Sequence, residues 1–274
     1  MHHHVSPSPG MITVSPENFE SQIAWLAADG WTALTMQQYA GFLAGAPVPR
    51  KSILITFDDG YLDNWVYAHP ILQKYGMRAV VFLVTGWMGQ GEVRPHAGQQ
   101  GAALPPTPDH RGCEDAIFRL DRADEVMMRW SEARAAIAAG TFEMHCHTHT
   151  HTRWLRRPVS REEKCAGIRD DLVRAREQLL GELGEASDTL CWPYGDFDED
   201  YVRIARELGF RYLHTTHPFG RNLVGGDPEH IYRFAIRNRP AKWLRKRIAS
   251  SYNPVIAPLF NRFKARRRGM VAGP

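Results

Sequence analysis

Two hydrophobic periods take turns along this chain. Residues 53–57 (Ile-Leu-Ile-Thr-Phe) and 78–86 (Arg-Ala-Val-Val-Phe-Leu-Val-Thr-Gly) are nearly unbroken apolar runs rich in β-branched and aromatic residues, the mark of strands buried on both faces. Around them the spacing switches to a helical one. Phe19, Ile23, Leu26 and Ala27 share a face, with Ser15 as N-cap, Pro16 at the first helical position and Gly30 as the stop. The run Ala-His-Pro-Ile-Leu-Gln-Lys-Tyr-Gly predicts a helix before the second strand, and another is predicted over 131–139. A third strand tip follows at Thr-Phe-Glu-Met-His-Cys-His-Thr, and a long charged helix covers 161–183. Leu-Cys-Trp-Pro-Tyr-Gly-Asp-Phe reads as a fourth strand and turn, after which helix and strand alternate once more to Thr216. Such alternation predicts a parallel sheet or barrel with right-handed crossovers. Residues 89–125, rich in Gly, Pro and polar groups, read as an irregular insertion, and no linker divides the chain before residue 240.

Composition narrows this picture only a little. A chain of 274 residues with 43% hydrophobic content can bury a sizeable core. No run approaches the roughly 18–20 apolar residues of a membrane span, and the N-terminus lacks a signal-peptide pattern, so the expected compartment is the cytoplasm. A leader ahead of Met1 would reverse that to export. Cys113, Cys146, Cys165 and Cys191 form no paired spacing, which fits a reducing compartment. Charge is unevenly spread: 241–274 carries nine Lys or Arg and no acid, leaving about −5 on the rest of a chain whose net charge is +4.

The chemistry gathers at two strand tips. Asp58 and Asp59 follow the first buried run, where the C-terminal strand ends of α/β folds build their pockets; Asp-Gly is also an ordinary turn pair. Four histidines, His145, His147, His149 and His151, occupy alternate positions at the third tip. Neutral imidazole is a common transition-metal ligand, and His147 with His151 can converge on one ion once the strand ends. A carboxylate from another tip would complete a His2-carboxylate shell, leaving the neighbouring acid free to take a proton from water.

This combination resembles the polysaccharide deacetylases of carbohydrate esterase family 4, the NodB-homology domain. The likeness rests on Thr-Phe-Asp-Asp-Gly (56–60), His-Thr-His-Thr-His (147–151) and Trp-Pro-Tyr-Gly-Asp (192–196), with support from the 15–31 helix and the Trp-Ser-Glu before the histidines. These last features point to the poly-N-acetylglucosamine deacetylase branch. The resemblance implies a single-domain distorted (β/α) barrel of about seven parallel strands over 1–240. It implies Asp58 as general base, Asp59, His147 and His151 as ligands of one divalent transition metal (zinc first, cobalt or nickel next), and the Tyr194 N–H as oxyanion donor, with Pro193 shaping the turn behind Trp192. The opening Met-His-His-His-Val resembles the family's first strand end, which places His3 near the metal pocket.

The sequence also departs from that family. Position 145 is usually small there; alternation puts His145 on the face of Glu143 and His147, either supplementing the metal shell or hydrogen-bonding one of its ligands. The late motif that carries a catalytic histidine has no match in His-Ile-Tyr-Arg-Phe-Ala-Ile-Arg-Asn-Arg-Pro, leaving His214 or His217 as stand-ins for the general acid. The implied reaction is removal of N-acetyl groups from an amino sugar, in a lipid-linked glycan, a lipopolysaccharide precursor or a poly-N-acetylglucosamine-like polymer. Alternatives are a related amidohydrolase or deformylase acting on a small amide, and a non-catalytic carbohydrate binder, against which the intact acids and histidines argue. In the tail, Trp243, Leu244, Ile248, Ile256, Leu259, Phe260 and Phe263 are interleaved with the basic residues. That pattern suits either an anionic membrane surface or packing on the barrel, with Pro254 and Pro258 breaking any long helix. No motif supports nucleic-acid binding.

Overall fold

The computed structural model describes residues 1–253 and 255–273; Pro254, one of the two expected helix breakers, lies outside the described residues. Two short parallel pairs come first, β1 (His4–Val5) with β2 (Thr13–Val14) and β3 (Thr32–Ala33) with β4 (Ser52–Ile53). Between them, α1 (Pro16–Ala28) begins where its signals place it: the Ser15 side chain accepts the Asn18 N–H, and Phe19, Ile23 and Leu26 are buried. Helix α2 (Met36–Leu43) opens with a capping box of Thr35 and Gln38.

The central sheet is wholly parallel and its strands neighbour one another in chain order: β5 (Thr56–Phe57), β6 (Ala79–Leu83), β7 (Phe142–Cys146), β8 (Thr189–Cys191) and β9 (Tyr212–His214). Right-handed crossovers between sequential parallel neighbours put every connecting helix on one side, so the sheet curls into a half-barrel. The crossovers carry α3 (His69–Lys74), α4 (His110–Phe118) with α5 (Trp130–Ala138), α6 (Arg161–Leu183) and α7 (Glu199–Glu207). The apolar run 53–57 is divided between two sheets, since Ile53 pairs with Ala33 while Thr56 pairs with Val80.

Five strands, not about seven, make the continuous sheet among the described residues. At its edges the next segments join by single bridges only, His2 beside Phe57 and Ile231 beside His214. The approach to Ile231 runs through Pro218, Gly220, Gly225, Gly226 and Pro228, residues that cannot sustain a ladder. The N-terminal segment is nevertheless fixed: His2 N–H donates to the Thr56 carbonyl and Asp58 N–H to that of His2.

Residues 89–125 are mostly loop, but they contain α4 and a turn of 3-10 helix at Ala123–Glu125. A buried ion pair anchors them. The Arg94 guanidinium reaches both carboxylate oxygens of the fully buried Glu132 at 2.7 and 2.8 Å and donates to the carbonyls of Asp124 and Met127. A buried acid needs such saturation of its lone pairs, and this one ties the loop to α5.

The tail splits in two. Helix α8 (Ala241–Tyr252) buries Leu244 and Ile248 in the main core beside α1, whose Gln22 donates to the Arg237 and Arg239 carbonyls. Helix α9 (Ile256–Arg267) takes Pro258 in its first turn, buries Ala257 and Ala265, and leaves Ile256, Leu259 and Phe263 exposed along one face. No helix among the described residues is long and apolar enough to cross a membrane.

Candidate active site

Asp58 and Asp59 close β5 and are both buried. The Asp-Gly turn is real: Asp59 has φ +75° and Gly60 φ +89°, and a Cβ on Gly60 would meet Leu83 Cδ2 at 2.7 Å. This bend sends the two neighbouring carboxylates to different partners.

Asp59 faces the histidines. Past Cys146 the backbone stays in register for one residue, His147 N–H donating to the Leu83 carbonyl, and then coils, with positive φ at Thr148 and His151. Asp171, buried on α6, holds the coil by accepting from the N–H groups of His149 and Thr150 and from the Thr150 hydroxyl. The Thr148 hydroxyl accepts the His151 N–H at 3.1 Å. His147 Nδ1 lies 2.7 Å from the Cys191 carbonyl, an acceptor only, so Nδ1 donates there and Nε2 is the ring atom turned toward Asp59. That Nε2 and the Nε2 of His151 each stand 3.3 Å from Asp59 Oδ1.

A metal fits this set. Asp59 Oδ1 is buried without a hydrogen-bond donor, and the three ligand atoms lie within 4.8 Å of one another. Ligands about 2.0–2.1 Å from a tetrahedral ion stand roughly 3.3 Å apart. Burial pushes His151 down to about 4, toward the neutral form that ligates, whereas at His147 burial is outweighed by Cys191 and Asp59, which raise it well above its ordinary value, so an ion there would take the place of the Nε2 proton.

Asp58 turns the other way, onto Arg233. Burial opposes its charge, but the Arg233 guanidinium, at 2.6 Å from Oδ1 and 2.9 Å from Oδ2, holds the carboxyl well below the usual range. Arg233 also donates to the Thr215 carbonyl and to Cys191 Sγ, and is itself buried. Sequence reasoning missed it: Arg233 lies 175 residues from Asp58, in the very segment searched for a histidine. The one available signal was that two buried acids demand a cation.

The remaining expected residues are dispersed. His3 belongs to the cleft, its Nε2 4.0 Å from Asp58 Oδ2. Tyr194, with φ +59° in the Pro193–Gly195 turn, lays its ring against His151 at 4.6 Å, while the Arg153 guanidinium stacks over the Tyr194 ring. Trp192 is fully buried beneath this turn against Phe197 and Tyr201. His145 shares the face foreseen for it yet touches no member of the triad; it bonds Ser187 Oγ at 2.8 Å and neighbours Glu143, because one strand pleat below His147 is already beneath the cleft. His149 points away, to Thr85 and Arg174. Neither stand-in acid reaches the acids: His217 packs with His230, Phe219 and Tyr232, and His214 is sealed in the barrel against Phe82 and Tyr39. Among the described residues, four of the five non-glycine positions with positive φ, Asp59, Thr148, His151 and Tyr194, line this one cleft.

Residues 45–213, more than half of the chain, match the polysaccharide deacetylase family model, and the protein belongs to that family. It is 26% identical over 204 residues to the poly-beta-1,6-N-acetyl-D-glucosamine N-deacetylase of Staphylococcus aureus, covering 73% of this chain and 60% of that protein. The chain thus spans about three fifths of the length of that curated relative. Among solved structures, IcaB from Ammonifex degensii superposes with a TM-score of 0.68 at 23% identity over 94% of both chains. A de-N-acetylase from Aggregatibacter actinomycetemcomitans gives 0.69 at 20% identity, over 90% of this chain and 97% of that one. At these identities the likeness establishes the shared fold.

Proposed function

We propose that this protein is a metal-dependent carbohydrate N-deacetylase, a reading carried by one observation: an acid kept ionised by a buried arginine stands next to an Asp-His-His ligand set. Asp59, His147 and His151 would hold a divalent transition metal, zinc first with cobalt or nickel as alternatives, which when bound polarises the amide carbonyl and acidifies water. Asp58 accepts the water proton at a carboxylate oxygen; Arg233 occupies one lone pair on each oxygen and leaves others open. The Tyr194 N–H meets the oxyanion, a contribution of about 3 kcal/mol for donors of this kind. The amide C–N bond then breaks, acetate leaves, and the departing amine takes the proton that Asp58 gained from water, with His3, which burial keeps toward its neutral form, beside it in the cleft.

The substrate follows the relatives: an N-acetylated amino sugar, either in a poly-N-acetylglucosamine-like polymer or linked to a lipid. The exposed Ile256, Leu259 and Phe263, beside Arg262, Lys264 and Arg266, support peripheral contact of α9 with an anionic membrane. The test is acetate release by zinc-loaded protein from β-1,6-linked N-acetylglucosamine oligomers and from a lipid-linked N-acetylhexosamine in anionic vesicles. Release from either is expected, faster on vesicles at low salt if α9 docks. With one metal bound per chain, release only from small non-sugar amides would overturn the reading.

A further inference from the structure

Helix α4, in the 89–125 insertion, is bound down at its first residue. His4 Nδ1 is 2.6 Å from Asp63 Oδ2, His4 Nε2 is 3.1 Å from His110 Nδ1, and the Asp109 side chain caps the helix by accepting the Gly112 N–H. Cys113 and Ala116 form its buried side, packed with Tyr61 and Met127. His110, Glu114 and Phe118, spaced four residues apart, share another face.

That face borders the cleft. The Trp87 ring packs on His151 at 5.1 Å, and Phe118 meets Trp87 edge to face at 5.4 Å, so Phe118 stands one ring beyond the Asp-His-His set. Glu114 is near enough to Tyr194 for its charge to bear on the phenol, as does that of Asp59. A lone exposed phenylalanine would need no explanation. This one is 60% exposed against a half-buried tryptophan that touches a candidate ligand. Beside it Glu114, 49% exposed, has only His110, at 3.7 Å, as an ion-pair partner among the described residues. An open aromatic face next to a carboxylate suits a pyranose ring, whose C–H face is apolar and whose edge carries hydroxyl donors.

We propose that Phe118, Trp87 and Glu114 form a subsite for a second sugar of the same glycan, next to the sugar whose N-acetyl group lies at Asp58 and Asp59. Phe118 stacks on the C–H face of that second ring, Trp87 braces Phe118, and Glu114 accepts from a ring hydroxyl. The inference rests on the deacetylase reading for the sugar at the ligand set. It makes the substrate an oligosaccharide or polymer instead of a single amino sugar, with binding energy from the neighbour holding the reacting one in place.

Acetate release by zinc-loaded protein is compared between N-acetylglucosamine and its β-1,6-linked tetramer. Tetramer binding is measured by calorimetry on zinc-loaded Asp58→Asn protein, in which turnover is slow. The wild type should favour the tetramer about tenfold or more in kcat/KM, chiefly through a lower KM. Phe118→Ala removes most of that preference and, in the Asp58→Asn background, weakens tetramer binding about tenfold; Phe118→Tyr restores both. Glu114→Gln weakens binding about threefold. Leu120→Ala, at a residue 57% exposed just past the end of α4, changes neither. Equal kcat/KM for the tetramer and the single sugar, or undiminished tetramer binding by a folded Phe118→Ala, overturns the subsite. Tetramer binding that depends on Phe118, without acetate release from any sugar, overturns the deacetylase reading and leaves the subsite standing.

Discussion

The two halves of the cleft are built on opposite principles. The half around Asp59 is local on its histidine side: His147 and His151 come from one five-residue stretch, and Asp171, about twenty residues on, pins its backbone. The half around Asp58 is global: its partner Arg233 arrives from a segment joined to the sheet by a single bridge. The first half gains rigidity from backbone hydrogen bonds to a helix. The second relies on a buried ion pair, which is weak evidence for stability but fixes the charge and direction of the one acid it holds. In the proposed reading, the histidine coil serves to grip an ion and the distant arginine to set the charge of the base.

The sharpest way to break this division is Asp58→Asn. Removing the base while keeping the ligands should lower turnover by about 10²- to 10⁴-fold, with metal content by elemental analysis unchanged. Loss of metal along with activity would mean that the halves are not separable. Next in size is Arg233→Met, which strands a buried carboxylate and should cost about 3–5 kcal/mol in urea unfolding. Adding Asp58→Asn to that variant should recover part of the loss, since the stranded charge is gone; additive losses would show that Arg233 acts through packing instead. The smallest effect is expected from Asp171→Asn, which weakens the coil without touching a ligand. Metal affinity should fall about 10- to 100-fold, with a smaller loss of about 1–3 kcal/mol in the metal-free protein because the Thr150 hydroxyl and Trp154 indole lose a buried acceptor.

What could be read in the sequence follows the same division. Strand β6 was legible because it is buried on both faces, and α1 because Ser15, Pro16 and Gly30 act locally. His147 and His151 were legible as a pair because a strand tip and the coil after it need only short-range geometry, whereas the choice of Asp59, from another strand tip, came from the family resemblance. Arg233 was not, since no periodicity links positions 175 residues apart and an arginine in a loop looks like any surface cation. His145 illustrates a subtler limit. Alternation gave its face correctly, but depth along the strand decides whether that face looks into the cleft or onto Ser187 beneath it. The run 53–57 misled in another way, because its pattern cannot tell one strand from two half-strands that leave for different neighbours. The fate of the tail depended on the face of α1 that α8 covers, which tail composition alone does not contain.

The separation of Asp58 from Arg233 also has a meaning in time. At roughly 5–20 residues per second, a ribosome needs on the order of 10–35 s to add the residues between them. Over that interval β6 to β9 are added one after another, and all the while Asp58 lacks the Arg233 guanidinium and must keep its water. A chain broken off before Arg233 retains Asp59, His147, His151 and the five strands of the central sheet while leaving Asp58 unclamped. Synthesis of the C-terminal segment thus delivers the partner that fixes the charge and direction of Asp58, after Asp59, His147, His151 and Tyr194 have all been made.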